Sequence, residues 1–232
     1  MKIAKQSVEL IDHSGSDLSV VNAARVSFHK ESDWDVKAGH RATDKGILKQ
    51  ADAKLIKYLA DHNHKSPFNH CFLSFRVKAP IFVARQLVKH EYLPWNEVSR
   101  RYVDDEPEFY FPDYWRKKAD NVKQGSSDEA VEDHDKVDDD MRDCVYEAWA
   151  GYWQALHKKG VCPEQARMIL PQNMMTEWIW SGTLFAFAKM CNLRLDSHTQ
   201  KETQEIAQMV DKIASELYPV SWKALVYANK DN

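Results

Sequence analysis

The sequence predicts an α+β chain, and three observations carry that prediction. Short runs at residues 7–11, 71–78, 106–111 and 173–180 have the alternating or aromatic character of strands. Longer runs between them repeat apolar residues at helical spacing. At 232 residues and 27.0 kDa the chain is long enough to bury roughly 70% of its unfolded surface around one core, so 1–232 reads as a single domain.

Residues 7–11 make the first strand, and Asp17 is placed to cap a helix over 18–27. In that helix Arg25 stands beside Ala23 and Ala24, small residues that permit close approach. Residues 29–43 are polar and charged and read as a surface loop. A helix over 44–61 follows, with Ile47, Leu48, Leu55, Ile56 and Leu59 at its apolar positions. Ser66 and Pro67 form an N-cap and first-position pair, so a short helix with free N–H groups is expected there.

The strand over 71–78 leads to Pro80, which suits the first position of a helix of roughly three turns, and Pro94 discourages that helix from continuing. Ile81, Val83, Ala84, Leu87 and Val88 fill its packing side, while Arg85, Gln86, Lys89 and His90 share the other. Residues 121–128 read as a polar loop. The acidic run 129–143 opens a long exposed helix ending near Gly160, and its aspartates 138–140 read as a solvated face. A short helix bracketed by Pro163 and Pro171 projects Arg167, and a helix over 183–193 leaves Arg194 just past its end. Ser197 and Gln200 fit a capping box that opens a helix to Leu217, and Pro219 starts a last helix through Ala228.

A net charge of −3 and a pI near 6.4 argue against a nucleic-acid-coating surface. No apolar run approaches ~18 residues and the first residues lack the apolar stretch of a signal peptide, so a soluble protein of the cytoplasm, or of a host cytoplasm if viral, is expected, with no membrane partner. Cys71, Cys144, Cys162 and Cys191 are scattered, as reduced thiols are. Eight Trp exceed the needs of such a core, and some are expected at a ligand cleft or subunit interface.

The chemistry concentrates beyond Pro94, where Asn96, Glu97, Ser99, Arg100 and Arg101 lie between Trp95 and Tyr102. Amide, carboxylate, hydroxyl and guanidinium together suit a planar, phosphorylated ligand, and a solvated loop with its own Arg–Glu pair is the alternative these residues leave open. Arg85, Arg101, Arg167 and Arg194 stand in segments of small, apolar or capping residues, and a buried guanidinium must meet a carboxylate or an anionic ligand. His62, His64 and His70 invite a metal, but no Cys or carboxylate sits at ligand spacing, so no metal is expected.

These segments resemble the flavin-dependent thymidylate synthase family. Residues 89–102 are similar to its R-H-R-x-x-S-x-N-E-x-S-x-R-Y signature, with the N-E-x-S-x-R-Y half intact from Asn96 to Tyr102. The segment at His64, Ser66, Pro67, Phe68 and His70 resembles H-x-[ST]-P-F-E-H, and residues 23–27 match A-A-R-V-S. Residues 160–171 resemble G-V-x-x-x-x-A-R-x-x-L-P, and Asn192 to Glu202 resembles N-L-R-x-D-S-H-x-Q-x-E. The resemblance implies the family's fold, a central mostly antiparallel sheet flanked by helices, assembled as a homotetramer with shared sites. It implies conversion of dUMP to dTMP with methylenetetrahydrofolate as one-carbon donor, FAD as hydride source and NADPH as reductant. None of the cysteines looks like a nucleophile, which suits a flavin-activated base.

By the same resemblance Arg85, Gln86, Glu97, Ser99, Arg100, Arg101, Arg167 and Arg194 hold dUMP. Arg101 and Arg167 take its phosphate, and Arg194, with Ser99 and Glu97, serves the chemistry at the uracil. His64, Ser66, Lys89, His90, Glu91, Asn96, Glu97 and Lys189 face FAD. Departures stand at Lys89 and Glu91, where the family has Arg, at Pro94, where it has Ser, and at Asn69, Thr183, Phe185 and Lys189. Lys189 offers to restore the positive charge lost at Glu91. Two alternatives accompany this reading: a related enzyme adding hydroxymethyl or another one-carbon group to a pyrimidine nucleotide, and a non-catalytic nucleotide-binding homologue.

Overall fold

The computed structural model describes residues 1–35, 46–119 and 127–227. In chain order its elements are β1 (Lys2–Ile3), β2 (Ser7–Ser14), α1 (Asp17–Arg25), α2 (Gln50–Asp61), β3 (Phe72–Pro80), α3 (Ile81–Leu87), β4 (Trp95–Glu97), β5 (Glu108–Phe109), α4 (His134–His157), α5 (Pro163–Ala166), β6 (Met175–Thr183), α6 (Leu184–Arg194), α7 (Lys201–Leu217) and α8 (Pro219–Trp222). Single 3-10 turns stand at Val26–Phe28, Ser66–His70 and Arg167–Ile169, and a π-turn at Lys223–Tyr227. No described helix is long and apolar enough to cross a membrane.

The centre is a four-stranded antiparallel sheet in the order β2-β3-β6-β4, with β1 and β5 paired in parallel apart from it. Strand period explains β3: Leu73, Phe75, Val77 and Ala79 are fully buried, and Phe72, Ser74, Arg76 and Lys78 point the other way. Phe75 and Val77 stand opposite Trp180 and Trp178 of β6, so both strands turn their large apolar side chains to one face. Phe187 of α6 seats on that face, edge-on to Phe75 at 5.0 Å and to Trp180 at 5.3 Å. A second, smaller cluster gathers Phe109, Phe111, Val145 and Met174 beside α4.

Several elements differ from their sequence reading for identifiable reasons. Helix α3 spans only two turns. Pro80 is its N-cap, and the N–H groups of Ile81 and Phe82 donate to Met174 O and Gln172 O at 3.0 and 3.2 Å. The chain leaves the helix before Pro94 through a turn at His90 and a left-handed Tyr92 at φ 62°, which leaves Val88 half exposed. Residues 95–97 form the edge strand β4 rather than loop, because Trp95 stacks on Trp178 with ring centroids 4.1 Å apart.

Asp17 opens α1 instead of capping it. The Ser16 N–H donates to Ser19 Oγ at 3.0 Å, and the buried Asp17 carboxylate accepts the N–H groups of Val220 and Ser221 at 3.0 and 2.8 Å, capping α8 across the chain. Ser66 heads a five-residue 3-10 turn, too short for an aligned row of amides. The capping box at Ser197 does not form; α7 begins at Lys201, and the His198 N–H donates to Asp196 Oδ1 at 2.8 Å. Arg194 is the last residue of α6, whose first turn is capped by Thr183 Oγ1 accepting from the Ala186 N–H.

The helix expected from residue 44 begins at Gln50, since Asp35 and Ile47 pair as a β-bridge. The strand expected over 106–111 narrows to β5. Residues 36–45, 120–126 and 228–232, with much of the two expected loops and the end of the last expected helix, lie outside the described residues. Trp178, Trp180 and Trp222 are core residues, while Trp115, Trp149 and Trp153 line cavities.

Candidate active site

Helix α3 stands between two clefts, and its adjacent residues Arg85 and Gln86 line different ones. The first, about 670 Å³, collects Arg85 from α3, Glu97 from β4, Arg100 from the following loop, Arg167 from the turn after α5, and Lys78 and Thr176 from the central sheet. Glu97 is fixed by neutral donors: Thr176 Oγ1 donates to its Oε1 at 2.6 Å and Trp95 Nε1 to its Oε2 at 3.0 Å. Arg100 is held by Asp105 at 2.9 Å. Arg167 makes a 3.3 Å bond from Nε to Glu164 O. Ser99 and Arg101 stand beside this cleft without lining it. Arg101 Nε donates to Ser99 Oγ at 3.0 Å, and its guanidinium lies 4.8 Å over the Tyr102 ring.

The second cleft, about 750 Å³, has Gln86 and Lys89 on one wall and Asn192, Arg194, Asp196, His198 and Gln200 on the other. The Gln86 amide is pinned by Gln200 and by Thr203 Oγ1, which donates to its Oε1 at 3.2 Å. Arg194 donates from Nε to His90 Nε2 at 3.0 Å and from Nη2 to Gln86 O at 3.2 Å. Burial, reinforced by the charges of Arg194 and Lys189, pulls His90 from its ordinary 6.5 down to about 4, so the ring is neutral at physiological pH. Arg116 bridges to Glu202 at 2.8 Å and stands at the border with a third, aromatic-walled cavity of about 510 Å³.

The arginines sort by partner. Arg25, Arg76, Arg100, Arg116 and Arg142 each meet a carboxylate. Arg85, Arg101, Arg167 and Arg194, the ones the sequence singles out, meet none among the described residues. Arg85, Arg101 and Arg167 are solvent-exposed, and Arg194 is partly buried. Burial therefore does not demand a partner for the first three; what marks them is charge left unmatched at a cleft or its rim.

Of the residues expected to face flavin, His64, Ser66 and Asn96 are exposed, His64 lying edge-on to Tyr58 at 5.9 Å. Glu91 pairs with Lys189 at 3.6 Å, so Lys189 is matched to the reversed charge rather than spare. Asn69 Oδ1 accepts from Thr183 Oγ1 at 2.8 Å, and Lys65 lies 5.5 Å over the Phe185 ring. The departures from the family pattern thus touch one another, Asn69 with Thr183 and Glu91 with Lys189. Lys65, Lys89, Ser66 and His64 are exposed and offer the cations and the hydroxyl and imidazole groups that could hold an anionic dinucleotide such as FAD.

The thiols offer no activated nucleophile in the core. Cys71 is buried and pushed up to about 11, and its Sγ donates to Ser16 O; Cys191 is buried against Ala207 O. Sequence reasoning gave no role to Lys78, Thr176, Arg116 or Asn192. Thr176 is invisible in a motif because it reaches Glu97 only through the pairing of β4 with β6. Asp196, His198 and Gln200 belong to the block that carries Arg194, which was the available signal.

A family model described as thymidylate synthase complementing protein matches residues 9–220. A flavin-dependent thymidylate synthase of Thermotoga neapolitana is 37% identical over 227 residues, covering 97% of this chain and 94% of that protein. One from Thermus thermophilus is 38% identical over 220 residues, covering 95% and 75%. Among solved structures, a UMP/dUMP methylase PolB from Streptomyces cacaoi bound with 5-Br dUMP superposes with a TM-score of 0.81 at 30% identity, covering 97% of this chain and 96% of that one.

Proposed function

The chain belongs to the thymidylate synthase complementing protein family, alongside flavin-dependent thymidylate synthases, and on that premise we propose that it methylates dUMP to dTMP. The one-carbon unit comes from methylenetetrahydrofolate and bonds to uracil carbon 5 as its bonds to the two folate nitrogens break, and tetrahydrofolate leaves. The proton at that carbon leaves, and a hydride completes the methyl group. When bound, FAD supplies that hydride, drawn from NADPH. The observation that supports a nucleotide ligand is the set of arginines without carboxylate partners, Arg85, Arg167 and Arg194 in the clefts and Arg101 beside them.

In this reading Arg194 and Gln86 hold the uracil, with Arg194 drawing charge toward the carbonyl oxygens as it builds. Arg85, Arg101 and Arg167 take the phosphate, and Glu97 and Ser99 orient the sugar and base. His64, Ser66, Lys89, Asn96 and Lys189 would hold FAD. The nucleotide residues divide between two clefts, and a site completed where copies of the chain meet accords with the homotetramer with shared sites that we propose.

The test is a mass-spectrometric product assay on purified protein with FAD, NADPH, methylenetetrahydrofolate and dUMP, with and without flavin. Flavin-dependent dTMP is the expected outcome. A hydroxymethylated nucleotide, or bound dUMP without product, overturns the reading. UMP run in parallel reads the sugar preference, since the similar methylase acts on both nucleotides.

A further inference from the structure

Arg194 is held in an unusual way for a cation that is partly buried. Its side edge, Nε and one N–H of Nη2, is occupied by His90 Nε2 at 3.0 Å and by Gln86 O at 3.2 Å. Both acceptors are neutral. A guanidinium has five N–H donors in a rigid fork, so fixing one edge aims the other. The end fork formed by Nη1 and Nη2 has no acceptor among the described residues, and Arg194 lines the same cleft as Gln86 and Lys89.

A carboxylate in place of His90 would hold the fork equally well but would cancel its charge. A neutral imidazole fixes the direction and leaves the full positive charge for a ligand. That service needs a lone pair on Nε2 and the proton on Nδ1. The groups around the ring favour its neutral form: Arg194 and Lys189 from α6 are both cationic, and the Glu91 carboxylate is drawn to Lys189 at 3.6 Å; the Arg194 Nε–H donating to Nε2 sets the proton on Nδ1. The Gln86 side chain is pinned away by Gln200 and Thr203, so only its backbone carbonyl serves Arg194.

We propose that His90 is a positioning residue: a neutral, Nδ1-protonated acceptor that fixes the side edge of Arg194 and aims its end fork, charge intact, at the anionic nucleotide. This rests on the reading that Arg194 binds the nucleotide. It assigns His90 a duty toward Arg194 rather than toward flavin.

Calorimetric titration of dUMP into the FAD-loaded full chain tests it, with flavin affinity measured beside it. His90→Ala is expected to weaken dUMP about tenfold, and His90→Gln, which keeps a neutral acceptor, to return within about threefold of wild type. His90→Glu keeps an acceptor but cancels charge, and is expected to weaken dUMP as His90→Ala does. Ring ¹⁵N shifts in the wild-type protein should show the neutral Nδ1–H tautomer, which decides the matter even if His90→Ala fails to fold. A charged ring, an Nε2–H tautomer, or His90→Gln as weak as His90→Ala overturns the inference. So does a loss of flavin affinity with dUMP binding intact. Undiminished dUMP binding in Arg194→Ala overturns instead the nucleotide reading beneath it.

Discussion

Arg25 and Arg194 show how partner chemistry divides one residue type between structure and ligand. Arg25 reaches Asp52, whose side chain is fully buried and also accepts from Ser32 Oγ. Arg25→Ala strands that carboxylate and is expected to cost about 3 kcal/mol or more of stability, read as a lower urea midpoint. Arg194→Ala removes a cation that no carboxylate among the described residues answers; it is expected to weaken dUMP by about 2 kcal/mol or more and abolish turnover, while the urea midpoint moves little. His90 adds a pH dependence of fixed sign. As pH falls through 6.5 the unfolded chain binds a proton that the folded ring refuses until about 4, so stability declines across that window and levels off below it. His90→Gln should flatten that part of a urea-midpoint profile; an unchanged slope would remove His90 as its source. The unpaired arginines were legible because each sits in a compact block of sequence. The acceptor of Arg194 was not, since His90 lies 104 positions away and its role depends on how the turn after α3 meets the end of α6.

Elements were legible where one periodicity ruled. The alternation in β3 and the long polar face of α4 could be read directly, because each packs a single face. Elements failed where tertiary partners replaced local ones. α3 takes its first acceptors from the segment before β6, β4 exists because two indoles stack, and Ser197 loses its capping role to Gln200. Asp17 is the sharpest case, a cap residue serving a helix on the far side of the sequence. Asp17→Ala orphans one buried and one part-buried N–H group and is expected to destabilise the protein by about 2 kcal/mol, with a matching drop in melting temperature. Gly182 is constrained by space: a Cβ there would lie 2.3 Å from Leu93 Cδ2 and 3.1 Å from Tyr92 O, the turn that carries His90 and Glu91 onto α6.

At the scale of the whole molecule, the proposed division of nucleotide residues between two clefts would make assembly part of catalysis. Arg194→Ala and Arg167→Ala are each expected to be inactive alone. Mixed after dissociation and reassembly, they should regain activity at about one quarter of sites, because random pairing restores some sites with both arginines intact. No recovery would place both arginines in a site built by one copy. The sheet and its helices follow from the sequence patterns, whereas an assembly depends on surfaces that a single chain's periodicity does not encode. The bond between Asp17 and α8 has a further consequence. Tyr218 donates from its hydroxyl to Ser14 O at 2.7 Å and Trp222 is fully buried, so segments 204 positions apart in sequence close the same core. Such a closure pays its loop entropy before any contact rewards it, so α1, the end of β2 and α8 should lose hydrogen-exchange protection together, as one cooperative unit.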